Sequence, residues 1–356
     1  MSVEPRERLA RVALSRIAEP GDPKLCGLVD EMGAITLYDF LSGQRDVEGV
    51  LTDLAQRLVD CEPHTELERA RRQGIRFVVP GDTEWPSQVG DLHRAGEVQR
   101  RGGTPIGLWV RGPVRLDELD ESLAIVGARS ATTYGVEVAA DLAAGAGRHG
   151  WCVVSGAAFG IDQAAHRGAL GASGRTVAVL ACGVDRVYPA AHKNLLDHLA
   201  AHGAVVSEAP PGCAPTRLRF LARNRIIAAI TRGTVVVEAA VRSGALNTAN
   251  WAERLNRPLL GVPGSVTSAP SQGVHQLIRT GAATLVTTEA EMMEMVGAAG
   301  QHLIEPPRAA ARRRDRLDLR HQQVLDAVPV ARRARADSIA HAAGVGLVEV
   351  RRSLEL

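Results

Sequence analysis

Between Ser122 and Val296 the chain alternates short apolar, β-branched runs with amphipathic stretches of ten or more residues, and that alternation leaves few folds open. The runs are Leu123 to Val126, Cys152 to Val154, Thr176 to Leu180, Ala204 to Ser207, Thr234 to Val237, Pro258 to Val262 and Thr284 to Val286. They show almost no polar alternation, as a strand covered on both faces requires. Helical periodicity fills the gaps, as in Tyr134 to His149 and Ala190 to Ala201. Together these features predict an α/β chain with a Rossmann-like, doubly wound, mostly parallel sheet. Two further β-prone stretches, Ile75 to Val79 and Ile106 to Gly112, are expected to join its edge.

The flanks read differently. From Arg6 to Arg72 the pattern is helical and rich in Ala and Leu, broken at Glu19 to Pro23, Ser42-Gly43 and Glu62-Pro63. Residues 1–74 are therefore read as a small helical module, of the SAM or helix-hairpin-helix kind, and 75–297 as the extended Rossmann-like domain. Residues 298–315, with Pro306 to Arg314 lacking apolar periodicity, read as a linker. Helical periodicity resumes in 316–356, where a Gly344-Val345-Gly346 turn separates Ala336–Ala343 from Leu347–Leu354. That tail looks like a helix-turn-helix or winged helix with its β-hairpin wing absent or cut off at Leu356.

Composition narrows the class. Nowhere do eighteen uncharged apolar residues run together, and Met1 to Ala10 carries Glu4, Arg6, Glu7 and Arg8, so neither membrane insertion nor export is expected. Five cysteines, odd in number and without a CxxC pair, suit a reducing cytoplasm better than a disulfide framework or a zinc site. A net charge of +2 does not by itself announce a nucleic-acid partner.

Three segments sit where a strand ends and a helix begins, the place where unpaired amides and the helix dipole favour anions. In the first, Ile125-Val126 runs into Gly127, Ala128, Arg129 and Ser130. A phosphate loop with a guanidinium fork and a plain βα turn with a surface arginine are equally good readings. In the second, Ser155-Gly156-Ala157-Ala158-Phe159-Gly160-Ile161-Asp162 lacks the GxGxxG spacing and the later acidic residue that a ribose demands, which disfavours NAD. Asp162 reads as a helix-start carboxylate and His166 as a non-catalytic histidine. In the third, Arg217, Arg219, Arg223 and Arg225 surround Phe220 and Asn224 within ten residues, in a chain only 3% aromatic. A single-strand groove, with charges on phosphates and a ring on a base, stands here beside a solvated helix with a core phenylalanine.

Taken in order, the blocks resemble the DNA-processing protein A (DprA/Smf) family. They are IVGAR with a following YG (Ile125 to Gly135), SGAAFGIDQAAHRGAL (Ser155 to Leu170), CGVDRVYP (Cys182 to Pro189) and SEAPPG (Ser207 to Gly212). RFLARNRIIA (Arg219 to Ala228), VVVEAAVRSGALNTA (Val235 to Ala249), VPGS (Val262 to Ser265) and GVHQLIRTGA (Gly273 to Ala282) follow. The resemblance implies a cytoplasmic homodimer that binds single-stranded DNA without strong sequence preference, protects it and helps load RecA in natural transformation. It implies no catalysis, cofactor or metal. It carries phosphate gripping to Arg129 and base contact to Phe220, accompanied by Arg223, Asn224 and Arg225. Gly127, Gly156 and Gly160 are the turns over which phosphates are expected to lie, with Ser130, Ser155, Arg217 and Arg219 beside them.

The chain departs from the family pattern at Ala128, where serine is usual, at Phe159, often basic, and at Arg219 and Leu221, where His and Pro are common. Ala245 and Asn247 replace Ser and Ile. The rival reading is a base-releasing hydrolase of nucleoside monophosphates, built on a related fold with a PGGxGTxxE loop. Here Val237-Glu238-Ala239-Ala240 lacks the paired glycines, and Glu238 is expected to hold a backbone N–H or an arginine instead.

Overall fold

A computed structural model describes residues 3–43, 50–304 and 316–355, with the backbone alone for 50–52. The part of the expected linker from 305 to 315 lies outside the described residues. The chain divides into two compact units, 1–303 and 304–356.

Helices open the first unit: α1 (Pro5–Ile17), α2 (Pro23–Met32), α3 (Ala34–Gly43), α4 (Val50–Val59) and α5 (Pro63–Arg72). Proline starts α1, α2 and α5, where its missing N–H costs nothing. Asp22 caps α2 by accepting from the amides of Lys24 and Leu25. Leu14, Leu25, Leu37 and Leu41 bury a common apolar face.

The strands that follow are β1 (Ile75–Val78), β2 (Glu97–Val98), β3 (Arg101–Gly102), β4 (Leu108–Arg111), β5 (Ser122–Val126), β6 (Cys152–Ser155), β7 (Thr176–Val179), β8 (Ala204–Ser207), β9 (Gly233–Val236), β10 (Leu259–Gly261) and β11 (Thr284–Leu285). Apart from the β2–β3 hairpin, the strands among the described residues form one nine-stranded sheet in the order β1-β4-β8-β7-β6-β5-β9-β10-β11. From β8 to β11 all neighbours are parallel. The two early stretches add the antiparallel edge, β4 on β8 and β1 on β4.

Helices α6 (Thr133–Arg148), α7 (Ile161–Gly171), α8 (Lys193–His202), α9 (Arg217–Ala229), α10 (Ala245–Arg254), α11 (Gln272–Arg279) and α12 (Glu289–Val296) link the parallel strands or follow them. Strand side chains alternate between faces, and the core divides accordingly. Ala124, Val126, Val154 and Val236 pack with Ile226, Ile227 and Trp251 of α9 and α10. Leu123, Ile125, Val153 and Val235 pack with Leu142, Ala165 and Met292 on the opposite face. The uninterrupted apolar runs thus have the double cover they require.

Chain order runs outward from β5 through β6 and β7 to β8, then returns to β9 on the other side of β5. That reversal opens a crevice beyond the carboxyl ends of β5 and β9, where doubly wound sheets take their ligands.

The second unit holds α13 (Leu319–Ala327), α14 (Ala336–Ala343) and α15 (Leu347–Leu354) around Val324, Ile339 and Val350. Gly344, at φ +66°, ends α14 in the left-handed conformation that glycine adopts without a Cβ penalty.

Candidate nucleic-acid interface

The crevice is a cleft of about 780 Å³. One wall is Val126 to Ser130 at the end of β5, and another is Ala240 and Arg242 to Ala245 between β9 and α10. Helix α9 supplies Arg217, Phe220, Arg223 and Asn224. Thr216 caps that helix by accepting from the Arg219 amide, which starts α9 at the rim of the cleft.

The centre of the arrangement is the Phe220 ring. The guanidinium carbon of Arg129 lies 4.7 Å from its centroid and that of Arg223 5.8 Å, while Tyr188 sits 5.7 Å away at a tilt. Arg129 and Ser130 are exposed, Phe220 is half-buried, and Arg223 is 7% exposed.

Arg223 is held from below. Its Nη2 donates to the Gly156 carbonyl at 3.3 Å, and its Nε has no hydrogen-bond partner among the described residues. Burial pulls the Arg223 pKa below its ordinary value, against the opposing pull of the Asp162 charge. Asp162 is buried too, and that burial pushes its own pKa up. A cation kept out of water with an unmatched donor gains more than a surface arginine does from an anionic oxygen.

The glycines act otherwise than the sequence suggested. The amides of Gly156 and Ala158 donate to the Asp162 carboxylate at 3.2 and 3.3 Å, so at this turn the expected amide seat for phosphate is corrected. Gly156 is needed for a different reason: a Cβ there would come within 1.9 Å of Arg223 Nη1. Gly127 likewise has no room for a Cβ, which would meet Ile161 and the Glu238 carbonyl. Gly160, at φ +75°, faces the carbonyl oxygens of Ala128 and Arg129, which locks the β5 and β6 loops together.

The structure does not bring all the expected residues into the cleft. Arg225 is the clearest correction: its side chain is fully buried and paired bidentately with Glu208, both bonds 2.7 Å. A guanidinium so enclosed cannot meet solvent-borne phosphate. Ser155 is buried and donates to the Ile125 carbonyl at 2.6 Å, which ties β6 to β5. Arg219 forks Glu19, with its Nε at 2.9 Å and Nη2 at 2.8 Å, and also donates to the Ala214 carbonyl.

Glu238 holds a backbone group, as expected. Its carboxylate accepts from the Thr132 amide at 2.9 Å and from the Thr132 hydroxyl, and it is 1% exposed. His166 is fully buried, and its Nδ1 contacts the Thr176 hydroxyl at 2.7 Å.

Other cleft residues carried no role in the sequence reading. Tyr188 lies in the CGVDRVYP block and Arg242 just beyond the β9 end, but neither has local neighbours that mark it. Phe159, 46% exposed, lines a second cavity of about 570 Å³ with Arg129, Ser130, Gly160 and Arg167.

This cleft belongs to a chain whose residues 76–297 match the family profile described as DNA recombination-mediator protein A. A protein of Mycobacterium tuberculosis named as a DNA processing protein DprA is 44% identical over 347 residues, covering 96% of this chain and 88% of that one. The chain belongs to the DprA family. Among solved structures, DprA of Streptococcus pneumoniae superposes with a TM-score of 0.66 at 29% identity, covering 82% of this chain and 98% of that one. DprA of Helicobacter pylori, whose structure is described as showing a single-stranded DNA binding mode, shares the fold at a TM-score of 0.53 and 24% identity. That match covers 62% of this chain and 94% of the other. The Rossmann-like α/β architecture and the DprA resemblance drawn from the sequence both stand. Among the described residues no helix is long and apolar enough to cross a membrane.

Proposed function

We propose that the cleft binds single-stranded DNA without strong sequence preference. The observation that carries this reading is the shared ring: Arg129 at 4.7 Å and Arg223 at 5.8 Å place two cations against Phe220. Phosphates need the charges and bases need a flat apolar face, and a single strand offers both at once. Gly127, Arg129, Ser130, Arg217, Phe220, Arg223 and Asn224 form the contact set in this proposal, with Gly156 and Gly160 shaping it. The DprA of Helicobacter pylori, described by its single-stranded DNA binding mode, supports the ligand class and not the choice of residues.

We infer the finer role from what the family resemblance implies. The chain acts in the cytoplasm as a homodimer that shields incoming DNA and helps load RecA during natural transformation. Two clefts on one strand raise avidity without further interactions at either. No chemistry on the DNA is proposed: Glu238 and Asp162 are engaged by backbone amides and His166 by the Thr176 hydroxyl.

The deciding experiment is binding to single-stranded and double-stranded oligonucleotides across a salt series. The single strand is expected to bind more tightly, with log K against log salt falling at about −0.7 per phosphate neutralised. Equal affinity for duplex, or binding indifferent to salt, would reject the reading. Release of free base from nucleoside monophosphates would return the hydrolase reading instead.

A further inference from the structure

One feature of the cleft lies apart from its charges, in a chain of side-chain amides. Asn224, on α9, donates through Nδ2 to the Gly244 carbonyl at 3.3 Å and to Asn247 Oδ1 at 3.2 Å. Asn247, on α10, donates in turn through its own Nδ2 to Gln99 Oε1 at 3.2 Å. Both hydrogens of the Asn224 amide are thereby engaged. The direction is set by the backbone, since the Gly244 carbonyl can only accept, and turning Asn224 over would set oxygen against oxygen there. Asn224 lines the cleft, so the polar atom it has left to offer is a carbonyl-type acceptor.

Gln99 reaches this chain at a cost in backbone conformation. It forms the β2–β3 turn with Arg100, at φ +51° and +63°. A two-residue hairpin turn with both φ values positive usually takes Gly or Asn, and ordinary side chains there are strained. Asn247 is the member that joins the two ends of the chain, since it accepts from Asn224 and donates to Gln99.

We propose that the Gln99–Asn247–Asn224 chain makes the cleft a weak reader of base identity, favouring bases that present an exocyclic amino group. This inference rests on the single-strand reading of the same cleft. An acceptor gains from the amino groups of cytosine and adenine. Thymine offers at the corresponding edge a carbonyl, which an acceptor opposes. Asn224 reads and Asn247 positions.

Cytosine and thymine make the cleanest comparison because ring size, and so stacking area, is shared. With oligonucleotides about 12 long, dC is expected to bind roughly 3- to 10-fold more tightly than dT at pH 8, the effect of about one hydrogen bond. Asn224→Leu should bring the dC to dT ratio to about one, and Asn247→Leu should lower it by leaving the Asn224 amide held by the Gly244 carbonyl alone. Asn247→Asp keeps an acceptor for Asn224 Nδ2 and should preserve the ratio, which separates positioning from loss of packing. A thermal melt establishes that each variant is folded, and the native ratio decides the matter should a variant fail to fold. A native ratio of one alongside firm, salt-dependent binding overturns this inference and leaves the single-strand reading intact. Failure to bind either oligonucleotide overturns that reading first, and a ratio retained in Asn224→Leu overturns the role of Asn224.

Discussion

The guanidinium carbon of Arg129 sits 4.7 Å from the centroid of the Phe220 ring, although strands β6, β7 and β8 separate the two residues along the chain. The contact holds the exposed arginine in place over the ring and keeps both beside the cleft. Arg129→Ala is expected to reduce the salt slope of single-strand binding by about 0.7 for each phosphate that this arginine neutralises. Phe220→Ala should weaken binding by about 1–3 kcal/mol. Because the two side chains touch, the double variant should weaken binding by less than the sum of the single effects. Filter binding or fluorescence anisotropy across a salt series measures all three, and strictly additive effects would mean that Arg129 and Phe220 act on the strand independently of their contact.

Gly156 separates the effect of Arg223 position from that of Arg223 charge. A Cβ at residue 156 would stand 1.9 Å from Arg223 Nη1, and the colliding group is the end of a flexible side chain. Gly156→Ala should therefore displace the guanidinium and fold with a modest loss of stability. Single-strand affinity is expected to fall by about tenfold, on the order of one charge-assisted hydrogen bond. Gly160→Ala is the contrast. Its Cβ would meet backbone oxygens at 2.3 and 2.6 Å, and φ is +75°, so the penalty should appear in the thermal midpoint. Comparing melting and affinity for the pair checks the distinction.

Arg225 gives the opposite pattern. Its bidentate pair with Glu208 is buried, and Glu208 Oε1 also accepts from the Gly21 amide at 3.2 Å. Arg225→Ala would leave a buried carboxylate without its cation, at a cost of about 3–5 kcal/mol in unfolding free energy. Arg225→Met combined with Glu208→Leu removes both charges and should recover much of that loss. In each variant that folds, the salt slope of DNA binding is expected to match the native one. A reduced slope at Arg225→Met would place this residue in the cleft after all.

The Arg225 result shows where sequence reasoning stops. The strands were legible because a doubly covered strand writes its environment into consecutive residues, and Val235, Val236 and Val237 need no partner to be read. The antiparallel strand around Trp109 was legible for the same reason. Arg217, Arg219, Arg223 and Arg225 look alike along the chain, and what separates them lies far away in sequence. Glu19 takes Arg219, Glu208 takes Arg225, and Asp162 lies near Arg223 without enclosing it. Helical spacing adds to the division: Arg223 and Arg225, two residues apart on α9, cannot face the same way. Gln99 was invisible for a related reason, since only the fold brings the hairpin turn to α10.

Burial of His166 gives the protein a pH dependence of defined sign. Loss of solvation, with His192 and Arg223 nearby, pulls its pKa from 6.5 to about 3. Below pH 6.5 the unfolded chain takes up a proton at this site that the folded chain refuses, so stability falls as pH falls. The loss grows by about 1.4 kcal/mol per pH unit, and it levels off near the folded value of about 3. Asp162, raised by its own burial, works in the other direction between its ordinary and its folded pKa, since the folded state favours its protonated form. Substituting the histidine isolates its own share of the slope from that of the carboxylate. His166→Asn keeps a polar group near Thr176 but does not titrate. Its unfolding free energy, from urea denaturation at several pH values, should be lower than native at pH 7 and fall less steeply on acidification. A variant with the native slope would mean that the buried imidazole is protonated in the folded protein.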